Sequence, residues 1–154
     1  MELSLKSKTA LICGSTQGIG LAIAKELALL GANCILLARN EALLKEAVAS
    51  LDSSLGQTHR LAVADFQHTD QVKQVAAVLA AAGTIHILVN NTGGPAPGLI
   101  QNASADQFLN AFQQHIINNQ HLVQALLPGM KAAGYGRIIN VISTSVKMPI
   151  PNLG

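Results

Sequence analysis

Thr9-Ala10-Leu11-Ile12-Cys13-Gly14-Ser15-Thr16-Gln17-Gly18-Ile19-Gly20 reads as a strand, a glycine turn and a helix start in immediate succession. Thr9 to Cys13 is a short, mostly apolar run, the length of a strand covered on both faces. From Ile19 onward, Ile19, Ala22, Ile23, Leu27 and Leu30 recur at three- and four-residue steps, which predicts one buried helical stripe ended by Gly31. The three glycines meet separate needs: a sharp turn at Gly14, backbone approach to a bulky anion at Gly18, and close helix-to-strand packing at Gly20. The free amides and positive dipole end of the helix face whatever sits in the turn, and a phosphate is the natural guest. A tight turn that binds nothing is the alternative.

Downstream, the same strand-helix alternation repeats. Asn33 to Ala38 is a second buried strand, followed by Arg39-Asn40 and a helix with Leu44, Ala47, Val48 and Leu51 on one face. A third strand spans His59 to Ala64 and ends on Asp65-Phe66, and the next helix shows Val72, Val75, Ala76 and Leu79. Ile85 to Val89 is a fourth strand, closing on Asn90-Asn91-Thr92-Gly93-Gly94-Pro95. Ser104 to about Ala133 is helical in two pieces, with Ser104 and Asp106 as caps and a kink or break expected at Pro128. Arg137 to Ile142 is the fifth strand, running into Ser143-Thr144-Ser145. Such alternation predicts an α/β fold, a Rossmann-type doubly wound parallel sheet with helices on both faces. In such a fold a carboxylate at the end of the second strand binds the adenosine 2′-hydroxyl. Ala38 stands there instead, and Arg39 beside it matches a 2′-phosphate, unless it is a solvated arginine at a helix start.

Composition narrows the function classes. The 154 residues are 49% hydrophobic and 12% charged, consistent with a single domain, 1–154, with a sizeable core. A net charge of +2, without a basic cluster or a run of aromatics, argues against nucleic acid. No signal-peptide core or membrane-length apolar run is present, so a soluble, cytoplasmic protein without membrane contact is expected. Cys13 and Cys34 fall in core strands and read as buried free thiols. His59, His68, His86 and His121 show no metal-ligand spacing, so no metal site is expected.

The glycine loop, in the spacing G-x-x-x-G-x-G, resembles the cofactor loop of the short-chain dehydrogenase/reductase family, in register to the end of the chain. The resemblance is to members such as 3-oxoacyl-carrier-protein reductases. It implies an NADP-dependent oxidoreductase moving hydride between the nicotinamide and a small carbonyl or alcohol substrate, free or acyl-linked, and assembling as a homodimer or homotetramer. NADP is favoured over NAD on Arg39, although Gln17 stands where NADP enzymes often carry a second basic residue. Gly14, Ser15, Thr16, Gln17, Gly18, Ile19 and Gly20 would form the cofactor loop, Asp65 and Phe66 the adenine contact, and Asn90, Asn91 and Gly93 the wall of the nicotinamide ribose, within N-N-T-G where the family has N-N-A-G. Leu122, Val123, Leu126 and Leu127 form a broad apolar surface that fits an oligomer interface or ordinary core burial.

Family chemistry uses an asparagine, a serine, a tyrosine and a lysine. Ser143 falls at the serine position, with Ser145 a weaker candidate and self-capping of the strand-end turn the alternative. Counting forward from Asn90 and back from Gly136 places His115 at the asparagine position, where an imidazole can bind a water or relay a proton. Asn118, one turn later, is the fallback. The family's tyrosine and lysine lie about a dozen and about sixteen residues past the serine, but only 11 residues follow Ser143, and Tyr135 is in the wrong place to serve. The chain is therefore expected to be the amino-terminal part of a longer reductase, its carboxyl-terminal strands and Tyr-x-x-x-Lys segment missing. A nucleotide-binding regulatory or scaffold protein without chemistry is the alternative. The Met148-Pro149-Ile150-Pro151 loop is expected to border the substrate.

Overall fold

A computed structural model describes residues 3–148 and 150–151. Its elements are β1 (Thr9–Cys13), α1 (Gly18–Leu29), β2 (Asn33–Ala38), α2 (Glu41–Ala49), β3 (Arg60–Val63), α3 (Thr69–Ala82), β4 (Ile87–Asn90), α4 (Ala105–Phe112), α5 (Asn118–Ala132) and β5 (Arg137–Asn140). The strands form one sheet in the order β3-β2-β1-β4-β5, and every pairing is parallel. Chain order runs outward from β1 through β2 to β3, then resumes on the other side of β1 with β4 and β5. The β1/β4 boundary is therefore the switch point at which the loops beyond the strand ends part to leave a crevice.

Side-chain alternation divides the core into two layers. Leu11, Cys13, Ile35, Leu37 and Leu88 face one side and pack with Val72, Ala76 and Leu79 of α3 and Leu122, Leu126 and Met130 of α5. Ala10, Ile12, Cys34, Leu36, Ile87 and Val89 face the other and meet Ala24 and Ala28 of α1 and Leu44 and Ala47 of α2. Continuous burial of β1, β2 and β4 is why these strands read as unbroken apolar runs. Both cysteines are free and buried, and burial pushes each thiol up to about 12.

Two expectations are corrected, and one open alternative is decided. The α1 stripe is carried by Gly20, Ala24 and Ala28, with Ile23 and Leu27 half-buried, while Ile19 is 60% exposed and Ala22 is exposed. Small residues let α1 lie close against the sheet, and Ile19 stands at the helix start beside the crevice. The long helical segment does not break at Pro128, which sits exposed inside α5; the irregularity is a π turn over Gln113–Ile117. The carbonyl that Pro128 leaves unpaired is that of Gln124, itself exposed, where water can satisfy it. Finally, Leu122 and Leu126 are core residues, and Val123 and Leu127 are half-buried. The exposed apolar face lies instead on α4, at Phe108, Leu109 and Phe112.

Candidate functional site

The glycine turn departs from β1 with Gly14 at φ +59° and re-enters helix with Gly18 at φ +57°, both in the left-handed region that glycine tolerates best. A side chain at Gly14 would place its Cβ 2.5 Å from the Asn91 carbonyl oxygen, and one at Gly20 would place it 2.2 Å from the Gly14 carbonyl oxygen. Gly18 is different, because nothing lies within 4 Å of where its Cβ would stand. Two glycines thus close the turn against β4 and α1, and the third leaves its outer side open.

Asn91 locks this arrangement. Its Nδ2 donates to the carbonyls of Cys13 and Gly14, each at 3.2 Å, tying the end of β4 to the turn after β1. Gln17 caps α1 in an extended conformation without a side-chain hydrogen bond, and the first turn of α1 holds no acid. By contrast, Asn40 caps α2 and Ser104 forms a capping box on α4. The amides at the start of α1 therefore have no side-chain partner from their own cap, the electrostatic condition for holding an anion.

A cleft of about 520 Å³ opens over the turn, lined by Gly14, Thr16, Gln17, Ala38, Arg39, Ala64, Asp65, Phe66, Asn91, Thr92 and Gly93, together with Gln67, Gly94 and Gln114. The turns after β1, β2, β3 and β4 are thus gathered round one cavity. Of the remaining loop residues, Gly18 and Ile19 are exposed at the helix start, whereas Ser15 and Gly20 are buried. Asn90 is also buried; its Nδ2 donates to Asn140 Oδ1 at 2.8 Å across the β4–β5 pair, and its own Oδ1 has no partner. Asp65 Oδ1 accepts from the Gln67 amide, and the Asp65 amide donates to Gln71 Oε1, which shapes the turn after β3. Arg39 is exposed at the end of β2, and the half-buried Ala38 beside it offers no side-chain acceptor. The set suits a dinucleotide: an open glycine turn beside uncapped amides for the diphosphate, with an exposed guanidinium at the end of β2.

A second cavity of about 550 Å³ adjoins the first, sharing Gln67, Gly94 and Gln114, and runs between the 94–103 loop and α4 to His115. His115 sits inside the π turn, with Nδ1 2.8 Å from Thr92 Oγ1, and its half-burial holds the imidazole below its ordinary pKa. Asn118 is no fallback for it. Fully buried, Asn118 accepts from Thr69 Oγ1 at 2.9 Å and donates to the Phe66 carbonyl at 2.6 Å, so both ends of its amide are engaged.

Ser143 is exposed past the end of β5, where its Oγ accepts from the amide and hydroxyl of Ser145 and caps the 144–146 turn. It lines neither cavity. Tyr135 lies at the other end of the strands, before β5, with Lys8 and Arg137 4.5 and 4.7 Å from its ring centre. His59 and His86 serve the backbone there: their Nδ1 atoms accept from the Cys34 and Thr9 amides. In the Met148-Pro149-Ile150-Pro151 loop, Pro149 lies outside the described residues. Among the described residues, no helix is long and apolar enough to cross a membrane.

Sequence reasoning missed Gln67 and Gln114 as cleft walls and Asn140 as the partner of Asn90, because isolated amides carry no periodicity. It also noted the departures at Thr92 and His115 separately, without placing them in contact.

The short chain dehydrogenase family model matches residues 8–154. The chain belongs to that family. It is 35% identical over 150 residues to hydroxysteroid dehydrogenase-like protein 1 of Gallus gallus, covering 94% of this chain and 44% of that protein. L-Sorbose reductase from Gluconobacter frateurii, solved with NADPH and L-sorbose, superposes with a TM-score of 0.91 at 32% identity, over 99% of this chain and 59% of that one. A variant of actinorhodin polyketide ketoreductase solved with NADPH gives 0.83 at 27% identity, over 96% and 57%. The chain thus spans about half the length of the curated relatives it matches.

Proposed function

We propose that this chain is the NADP-binding part of an oxidoreductase that moves hydride between the nicotinamide and a small carbonyl or alcohol substrate, in the manner of 3-oxoacyl reductases. The observation that carries the reading is the cleft at the β1/β4 switch point, where an open glycine turn, uncapped helix amides and Arg39 meet without an acid at the end of β2. Bound there, NADPH would supply the hydride. The chain's own residues bind and orient: Thr16, Gln17, Gly18 and Ile19 at the diphosphate, Arg39 at the 2′-phosphate, Asp65 and Phe66 at the adenine, and Asn90, Asn91 and Gly93 along the nicotinamide ribose. Ser143 is assigned to the substrate oxygen and His115 to a bound water or proton relay. Resemblance to the ketoreductase supports a ketone as the carbonyl substrate, and the exposed α4 face at Phe108, Leu109 and Phe112 supports assembly into a dimer or tetramer.

Titration of the purified chain with NADPH and NADH, followed by nucleotide fluorescence, tests the cofactor reading. NADPH is expected to bind at least tenfold more tightly than NADH. Equal affinities would overturn the NADP assignment, and no binding of either would overturn the nucleotide site itself.

A further inference from the structure

Thr92 and His115 both depart from the family pattern, replacing an alanine and an asparagine respectively, and they stand 23 residues apart in the chain. In the fold they touch, with Thr92 Oγ1 2.8 Å from His115 Nδ1. An alanine at position 92 has no atom able to make this bond. Among the described residues it is the one hydrogen bond recorded for the ring, which leaves Nε2 open. The main chain at this position is already engaged, since the His115 carbonyl accepts from Asn119 Nδ2 at 2.6 Å. What position 115 presents for chemistry is therefore the imidazole. Thr92 lines the nucleotide cleft and His115 lines the adjoining cavity, where, among the described residues, no other lining residue is titratable. The bond spans the wall between the two.

We propose that Thr92 is the positioning residue for His115, its hydroxyl holding the imidazole in one orientation, so that the two act as a unit in place of the family's alanine and asparagine. A hydroxyl both donates and accepts, so Thr92 pairs with Nδ1 in either neutral tautomer, and what the bond fixes is the direction of the ring. Nε2 is thereby held in one direction, much as the outer partners of a metal-bound histidine set its angle. The inference rests on the reading of His115 as the residue that handles a water or proton at this position.

The test is long-range 15N–1H correlation of the histidine rings in the cofactor-free chain, at a pH where the imidazoles are neutral. T92S keeps the hydroxyl, T92V removes it while retaining the branched shape, and T92A removes it by a second route should T92V fail to fold. One His115 ring orientation, read from NOEs of the ring protons, and one hydrogen-bonded Nδ1 shift are expected in the wild type and in T92S, and averaged orientations with a displaced Nδ1 shift in T92V and T92A. Unchanged NOEs and nitrogen shifts in T92V and T92A, or the same displacement in T92S, would overturn the proposal. Because no nucleotide is present, this outcome is independent of the NADPH titration, which tests the cofactor reading.

Discussion

Arg39→Ala removes the guanidinium from the end of β2 and leaves Ala38, with no hydrogen-bonding side chain, as its neighbour. A hydrogen bond to a charged group is worth about 1.5–3 kcal/mol. Arg39 is exposed, so water and salt weaken the contact, and the lower part of that range, about 1.5–2 kcal/mol, is the appropriate choice. At about 1.4 kcal/mol per decade, the NADPH dissociation constant should rise roughly 10- to 30-fold. NADH carries no 2′-phosphate, so its affinity should change by less than about twofold on the same arithmetic. Fluorescence titrations of both nucleotides against both proteins, at low and high salt, separate the effects, because screening should narrow the NADPH difference as salt rises. An R39A chain that binds NADPH as tightly as the wild type would refute the reasoning. Equal losses for both nucleotides would do so too, by showing a general distortion of the cleft.

Glycines of the turn should fail for different reasons. G20A drives a Cβ into the Gly14 backbone at 2.2 Å, so a loss of about 3 kcal/mol or more is expected, whereas G18A meets no atom and incurs about 1–2 kcal/mol of left-handed strain. Thermal denaturation checks the order, and a Tm for G20A at or above that of G18A would contradict it. His115 and His86 are both held below the ordinary value, His115 by burial and His86 by burial and then by Lys8, so their NMR titration midpoints should fall below about 6.5. The sign follows: the unfolded chain takes up these protons first, so stability should fall as pH drops through about 6.5 and level off below the folded midpoints. Stability that rises over that interval would count against it. Cys13 and Cys34, with thiols pushed up to about 12, should resist a thiol reagent at mildly alkaline pH and both react on unfolding.

Where burial is periodic, the fold was legible in the sequence. β1 and β2 match the apolar runs residue for residue, because a strand covered on both faces must be apolar throughout. α2 and α3 show the anticipated stripes at Leu44 and Ala47, and at Val72, Ala76 and Leu79. α1 was misjudged because its contact face is made of Gly20, Ala24 and Ala28, where smallness does what hydrophobicity does elsewhere. Pro128 was misjudged because a proline on a solvent-facing side deprives only an exposed carbonyl. At the cleft, the glycine spacing and the position of Arg39 could be read from residue type alone, since left-handed φ and phosphate charge demand particular residues. Asn140 and Gln114 could not, because many polar residues meet the need for a hydrogen bond and only the fold says which ones meet.

The π turn at Gln113–Ile117 shows why the site depends on residues without periodicity. A π turn gives up regular helical hydrogen bonding, and here side chains from the turn and just after it supply bonds around it. Gln113 donates to Thr69 at the start of α3, Asn118 bridges Thr69 and the Phe66 carbonyl, Asn119 holds the His115 carbonyl, and His115 meets Thr92. One of these bonds fastens the loop after β3, which carries Asp65 and Phe66, two hold Thr69 just beyond it at the start of α3, and one fastens the loop after β4, which carries Asn91 and Gly93. A single irregular turn therefore ties together the loops that carry the adenine and nicotinamide contacts of the proposed site. A substitution that let this segment return to regular α-helix would rotate His115 away from Thr92 and strain both loops together. The sheet and its core set the spacing of the strands, and the polar bonds at the break hold the loops beyond them.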